Sequence, residues 1–114
     1  MSAARLDPTL KRSAPVFAAL GDELRLTLVS RLSSQGPLSI ANLTEGTDVT
    51  RQAVTKHLHV LAGAGLVRAS RHGREQRWEV RGPSLSEARR CLDIIGRRWD
   101  DALARLKDAV EQDE

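Results

Sequence analysis

Apolar residues recur at intervals of three or four along most of the chain, which is the spacing of one face of an α-helix. The first such stripe consists of Phe17, Leu20, Leu24, Leu28 and Leu32. Gly21-Asp22 interrupts this stripe, so we predict two helices, residues 9–20 and 23–34, with Asp22 as the N-cap of the second. Pro15 either lies near the start of the first helix or kinks it.

The next segment has the pattern of two helices joined by a short turn. Ser39 is a candidate N-cap for a helix over residues 40–45, and Thr50 for a helix over residues 51–64. The buried face of the second helix, at the spacing i, i+4, i+7, consists of Val54, Leu58 and Leu61. This is the outline of a helix-turn-helix.

The pattern then changes to an alternation of apolar and polar residues. Residues 66–71 and 76–81 alternate on either side of His72-Gly73-Arg74-Glu75, which predicts a β-hairpin. Residues 84–110 return to helical spacing, as one helix or two. The apolar face of this segment consists of Leu85, Ala88, Leu92, Ile95, Trp99, Leu103, Leu106 and Val110.

The predicted fold is therefore mainly α with a small β-hairpin (α+β). Its order of helix, helix, helix-turn-helix, hairpin and long helix is the winged helix-turn-helix arrangement. A chain of 114 residues has the length of one domain. We divide it into a flexible N-terminal arm (residues 1–8), a winged helix-turn-helix core (residues 9–82) and a C-terminal helix (residues 83–110).

Composition narrows the class of protein. Apolar residues make up 40% and charged residues 29% of the chain, which is typical of a soluble globular domain. Only 3% are aromatic, and no nucleophile–base motif or phosphate-binding glycine loop is present, so we expect neither an enzyme nor a cofactor. The single cysteine, Cys91, excludes an intrachain disulfide and indicates a reducing cytoplasm. No apolar run approaches the roughly 20 residues that cross a bilayer, so we expect no membrane span.

Positive charge is concentrated in one segment. Residues 50–81 contain seven Lys and Arg against two Glu, a net charge of +5, whereas the rest of the chain carries −2. All three histidines lie in this segment. Such a concentration of positive charge indicates a polyanionic partner.

Three motifs resemble those of ArsR-type bacterial transcription regulators. The family's opening signature is similar to Phe17-Ala18-Ala19-Leu20-Gly21-Asp22-Glu23-Leu24-Arg25. Its recognition helix and exit are similar to Gln52-Ala53-Val54-Thr55-Lys56-His57-Leu58-His59-Val60-Leu61 and Ala64-Gly65-Leu66-Val67, and its second wing strand to Trp78-Glu79-Val80. The resemblance covers about residues 14–108. It implies a homodimeric regulator, a repressor of the bacterial cytoplasm, that binds a pseudo-palindromic operator.

The helix over residues 51–64 carries the candidates for base recognition. Its face opposite the apolar stripe is polar and contains no acid, whereas an ordinary solvated face, the other interpretation, usually includes acids. Guanidinium, amide, ammonium and hydroxyl groups can read base edges in the major groove of double-stranded DNA. The candidates are Thr50, Arg51, Gln52, Thr55, Lys56 and His59. His57, at the edge of the apolar stripe, is interpreted as a packing or phosphate-contacting residue.

The hairpin carries the candidates for phosphate or minor-groove contact, which are Arg71, His72, Arg74 and Arg77. Clustered guanidinium groups repel one another unless an anion is present. The alternative is pairing of Glu75 and Glu79 with Arg77 or Arg81 across the strands, which would contribute only tenths of a kcal/mol for each pair.

Many ArsR-type regulators bind metals, and the sequence disfavours this here. The family's Cys-x-Cys site would fall in residues 40–48, which contain neither cysteine nor histidine. Its site on the last helix needs Asp-x-His, but Asp93 is followed by Ile94-Ile95, and no histidine occurs beyond His72. We expect no bound metal, and the segment from Arg98-Trp99 to Leu106-Lys107 resembles a metal-independent subgroup.

The last helix predicts a homodimer, because its far end has an apolar face with nothing in the domain to cover it. In the family the first and last helices of two protomers pack together. The candidate interface residues are Leu10, Phe17, Leu92, Ile95, Trp99, Leu103, Leu106 and Val110. The alternative is that this helix folds back on its own domain.

Two functional alternatives stay open. Cys91 is either a redox-responsive thiol, which would make the protein a thiol-responsive regulator, or a small apolar packing residue. The winged helix could also serve protein–protein contact, with the basic face meeting an acidic partner.

Overall fold

The computed structural model describes residues 7–112, which form five helices and one two-stranded antiparallel sheet. In chain order they are α1 (Pro8–Leu20), α2 (Glu23–Gln35), α3 (Ile40–Thr44), α4 (Arg51–Gly63), β1 (Val67–His72), β2 (Glu75–Val80) and α5 (Gly82–Gln112). The predicted winged helix-turn-helix order is confirmed. Within the described range, no helix is long and apolar enough to cross a membrane.

The helix starts follow the predicted capping residues. Asp22, Ser39 and Thr50 each accept a hydrogen bond from the backbone N–H three residues later, at 3.0 to 3.1 Å. These bonds satisfy amide groups that have no partner within the helix. The starts of α2, α3 and α4 are therefore set by local chemistry.

The two terminal helices differ in detail from the prediction. Asp7 caps α1 and Pro8 occupies its first turn, so both belong to the helix rather than to the predicted arm, and residues 1–6 of that arm lie outside the described residues. Pro15 lies well inside α1 rather than near its start. Residues 82–112 form one helix, not two, and Gly96 does not interrupt it.

The core is centred on α4. Val54, Leu58 and Leu61 have no exposed surface, as their spacing predicted, and they pack in one cluster with Leu28 of α2 and Leu43 of α3. Burial of such a side chain contributes about 1.5–3 kcal/mol relative to leaving it exposed. This cluster determines which face of α4 points outward.

A glycine ends α4 and turns the chain into the hairpin. Gly65 has φ +78°, its N–H donates to the carbonyl of Ala62, and the N–H of Leu66 donates to that of Leu61, both at 3.0 Å. This is a Schellman motif, whose left-handed position favours glycine. The completely buried Leu66 then directs β1 along the core.

The hairpin, or wing, is joined to the core through Trp78. β1 and β2 pair in register from Val67 with Val80 to His72 with Glu75, leaving the two-residue loop Gly73-Arg74. Gly73 has a positive φ and Arg74 does not, which fits a type II′ turn. On its other side, Trp78 exchanges two backbone hydrogen bonds with Leu38, at 3.0 and 2.8 Å.

α5 packs on the domain only over its first part. Ala88 and Cys91 are buried, and the carboxylate of Glu87 pairs with the guanidinium of Arg12 on α1. From residue 95 to residue 112 every position of α5 is exposed. The molecule is consequently 68 Å long, and its radius of gyration of 19.3 Å exceeds the roughly 13 Å of a compact chain of this length.

The corner between α1 and α2 holds a charged N-cap. The hydrogen bond from the backbone N–H of Arg25 lowers the pKa of Asp22 below its ordinary value of 3.8, and the positive guanidinium of Arg25 acts in the same direction. The ionised form of Asp22 therefore stabilises the folded state.

We expect Leu61→Ala to lower the free energy of unfolding by about 2–5 kcal/mol, because it leaves a cavity in the core. Leu26→Ala is the matched control, since Leu26 is 52% exposed. This variant should change the free energy of unfolding by about 0.5 kcal/mol or less. Urea denaturation at one protein concentration measures both. Equal losses would contradict the placement of the core.

We expect Asp22→Asn, which keeps a capping oxygen but loses the charge, to lower Tm at neutral pH. Because the folded-state pKa of Asp22 is lowered, the stabilisation from its charge is complete above about pH 4 and is lost as the pH falls through the folded-state pKa. The difference in Tm between the wild type and Asp22→Asn, measured by circular dichroism, should shrink as the pH falls. The control variant Glu23→Gln should show a smaller difference from the wild type at every pH. A difference that does not vary with pH would refute the electrostatic role.

Candidate nucleic-acid interface

The outward face of α4 is polar because its apolar face is held in the core. The side chains of Arg51, Gln52, Lys56 and His59 are exposed, and Thr55 is half-buried. Since α4 contains no acid, this face offers hydrogen-bond donors and positive charge with little competing negative charge. It has the chemistry to bind an anionic surface.

Two predicted contact residues already make hydrogen bonds with the backbone of α4. The hydroxyl of Thr50 accepts from the N–H of Ala53 as the N-cap. The hydroxyl of Thr55 donates to the carbonyl of Arg51 at 2.7 Å. Each hydroxyl keeps further hydrogen-bonding capacity, so both bonds are compatible with an outward contact.

His59 lies at the junction between α4 and the wing. Its ring centroid is 5.8 Å from that of Trp78, with the ring planes at 70°, which is an edge-to-face arrangement. The sequence did not indicate this contact, because the two residues are far apart in the chain. His59 is thus both exposed on the α4 face and packed against the base of the wing.

The wing tip carries the positive charge predicted for it, with one guanidinium partly neutralised. Arg71, His72 and Arg74 are exposed, whereas Nε of Arg77 donates to the carboxylate of Glu75 at 2.6 Å on the same strand. Across residues 7–112, Arg71 and Arg74 form no ion pair with an acid. These two residues are the better available groups for an anion.

The acids of the wing pair only partly as the alternative interpretation predicted. Glu79 pairs across the strands with Arg68, at 2.8 Å from Nε, and not with Arg77 or Arg81. Glu75 pairs with Arg77 along one strand rather than across the hairpin. Both pairs are accessible to solvent and are worth little energy.

Two arginines of α2 bind the helices around the site, and neither was predicted from the sequence to have a role. Arg31 donates from Nη1 to the carbonyl of Leu43 and from Nη2 to that of Asn42, at 2.9 and 3.2 Å, which satisfies free carbonyl groups near the end of α3. Arg25 binds the carbonyl of Ala19 and lies 3.1 Å from the Nδ1 atom of His57. The one available signal was the position of Arg25 in the opening signature.

The apolar residues predicted for a dimer interface lie along the unpaired part of α5. Leu92, Ile95, Trp99, Leu103, Leu106 and Val110 are 39 to 65% exposed, while Leu10 and Phe17 of α1 are half-buried. Cys91 is only 4% exposed, between α5 and α1. A thiol buried in this way is poorly accessible to an oxidant.

Metal ligands are not clustered in the described part of the chain. Nowhere in residues 7–112 do three His, Cys, Asp or Glu side chains lie close enough together to hold a metal ion. His57 and His59 are two residues apart on α4, so their side chains diverge.

Comparison with known proteins agrees with this arrangement. A helix-turn-helix domain family matches residues 20–69. The chain is 33% identical over 97 residues to the HTH-type transcriptional regulator Rv2034 of Mycobacterium tuberculosis, covering 85% of this chain and 90% of that protein. It is 40% identical over 65 residues to the HTH-type transcriptional regulator YuzN of Bacillus subtilis, covering 52% of this chain and 71% of that one.

Solved structures show the same fold. An ArsR-like transcriptional regulator from Rhodococcus sp. RHA1 is 38% identical, with a TM-score of 0.74 over 90% of this chain and 95% of that one. A homodimeric winged helix-turn-helix DNA-binding domain from Mycobacterium bovis shares the fold at 24% identity, with a TM-score of 0.59 over 90% and 94% of the two chains. With its helix-turn-helix, its wing and these relatives, the chain belongs to the ArsR-type family of winged helix-turn-helix transcriptional regulators, which bind DNA.

Proposed function

We propose that this protein is a homodimeric repressor of the bacterial cytoplasm that binds a pseudo-palindromic operator without a metal cofactor. The observation that carries the proposal is the acid-free outward face of α4 beside a wing tip whose Arg71 and Arg74 have no acidic partner in the described residues. Repression follows if a dimer seated on the operator excludes other proteins from the same DNA.

The two basic surfaces have different tasks in this proposal. α4 enters the major groove, where Arg51, Gln52 and Lys56 contact base edges and determine the sequence that is bound. Arg71 and Arg74 of the wing contact phosphates or the minor groove and supply affinity through counterion release. Arg77 joins them by exchanging its exposed pair with Glu75 for a phosphate.

The second copy is proposed from the exposed stripe of α5. Most helical stability in proteins comes from packing of an amphipathic face, and a monomer rarely leaves such a long apolar stripe exposed. In the proposed dimer the apolar stripes of two copies bury each other across a two-fold axis. The two α4 helices then lie about 34 Å apart, in successive major grooves. That the M. bovis domain of the same fold is homodimeric supports this assembly.

Selection of bound duplexes from a random pool tests DNA recognition. We expect a pseudo-palindromic site, with affinity that falls steeply as salt increases. Gln52→Ala should relax the preference at one base pair, at a cost of about 1–3 kcal/mol in binding free energy. Arg74→Ala should weaken binding to all sequences alike and reduce the slope of log K against log salt concentration by about 1.

The matched charge control for Arg74→Ala is Lys11→Gln, which removes one exposed charge from α1, away from the proposed site. Binding to an acidic protein but to no duplex would favour the protein–protein alternative. An unchanged preferred site in Gln52→Ala would show that the orientation assigned to α4 is wrong.

Sedimentation equilibrium tests the dimer. Leu103→Glu places a charge in the apolar stripe and should weaken dimerisation at least about 10-fold, a change of 1.4 kcal/mol. Arg105→Glu introduces the same side chain about 200° around the helix and should leave the dimer largely intact. A wild-type protein that remains monomeric at all concentrations, or equal effects of the two variants, would contradict the proposed interface.

A further inference from the structure

One side chain of α2 connects three helices at the back of α4. Nε of Arg25 donates to the carbonyl of Ala19 in the last turn of α1, at 2.5 Å, and Nη1 lies 3.1 Å from Nδ1 of His57 on α4. Its backbone N–H is bound to the capping carboxylate of Asp22. Within residues 7–112, the Arg25–His57 contact is the one side-chain hydrogen bond that joins α4 to α1 or α2.

The chemistry of the contact defines which ring nitrogen of His57 carries the proton. A guanidinium group only donates hydrogen bonds, so Nδ1 of His57 must accept. An Nδ1 that accepts carries no proton, and His57 is therefore neutral with its proton on Nε2. The contact thus has one donor, one acceptor and a defined direction.

This direction matters because the buried residues of α4 are apolar. Burial of Val54, Leu58 and Leu61 determines which face of α4 points into the core, but apolar contacts are not directional and fix the exact rotation of the helix less sharply than a hydrogen bond does. A hydrogen bond weakens steeply when its angle is poor, so it resists rotation of the helix about its own axis. Such a rotation would redirect Gln52 and Lys56, which lie on the opposite face.

We propose that Arg25 and His57 are positioning residues for base recognition, and that their hydrogen bond fixes the rotation of α4 in the major groove. The inference rests on the proposed function of the α4 face. Base edges are read by hydrogen bonds with narrow geometry, whereas phosphate contacts are dominated by long-range charge. Loss of the Arg25–His57 bond therefore lowers discrimination between DNA sequences more than it lowers affinity for DNA in general.

The variants separate the effect of the hydrogen bond from the effects of charge and of side-chain volume. Arg25→Gln removes the guanidinium, and His57→Leu removes the acceptor while keeping an apolar body. His57→Asn is the conservative variant, because its Oδ1 is the same number of bonds from the backbone as Nδ1 and can accept from Arg25. Lys11→Gln removes one charge elsewhere and is the control for Arg25→Gln.

The measured quantity is the ratio of Kd for a shuffled duplex to Kd for the selected duplex, at one salt concentration. We expect Arg25→Gln and His57→Leu each to lower this ratio by about 10-fold, within the range of one lost base contact. The double variant should be no worse than the more severe single variant, because both remove the same bond. His57→Asn should stay within about 3-fold of the wild type, and Lys11→Gln should leave the ratio unchanged.

Two further measurements distinguish a positioning role of Arg25 and His57 from a general effect on stability. Thermal unfolding measures whether each variant folds, and partial unfolding would raise both Kd values equally without changing their ratio. Variants that are less stable but discriminate as well as the wild type would overturn the positioning role. Nitrogen-15 NMR of His57 at neutral pH should show a proton on Nε2, and a proton on Nδ1 would also overturn it.

Failure of the proposed function would give different binding results from failure of the positioning role. A wild-type protein that binds the selected and shuffled duplexes equally, or binds neither, would refute sequence-specific recognition itself. A wild-type protein that discriminates, together with variants that discriminate equally well, would refute only the role of Arg25 and His57.

Discussion

Burial of one face of α4 is the constraint on which the rest of the site depends. Val54, Leu58 and Leu61 are fully enclosed by side chains that include Leu28 and Leu43. Because an α-helix has 3.6 residues per turn, enclosing this face leaves the opposite face in solvent. That face contains no acid, so the packing of the core leaves the hydrogen-bond donors and positive charge of Arg51, Gln52 and Lys56 exposed to solvent.

The wing depends on the same core through β2. A two-stranded hairpin is at best marginally stable alone, but here Trp78 is buried and its backbone groups also bond to Leu38. The wing is consequently held at one end and exposed at the other, where Arg71 and Arg74 lie. Contact of His59 with Trp78 connects the two basic surfaces at their junction.

Much of the fold and of the candidate site could be predicted because the relevant interactions are local. The N-caps at Asp22, Ser39 and Thr50 act within three residues, and the two-residue turn of the wing depends on Gly73. The contacts that orient the site could not be predicted in the same way. Arg25 and His57 are 32 residues apart, and nothing in helical or strand spacing indicates their meeting.

By itself, the sequence determined which segments become helices and strands, which face of α4 is apolar, and where positive charge is concentrated. Those properties follow from side-chain periodicity and backbone chemistry over a few residues. Only the tertiary structure decided that Arg31 holds α3 and that Leu38 pairs with Trp78. These contacts exist because hydrophobic burial brings distant segments together, and local spacing contains no information about which polar groups then meet.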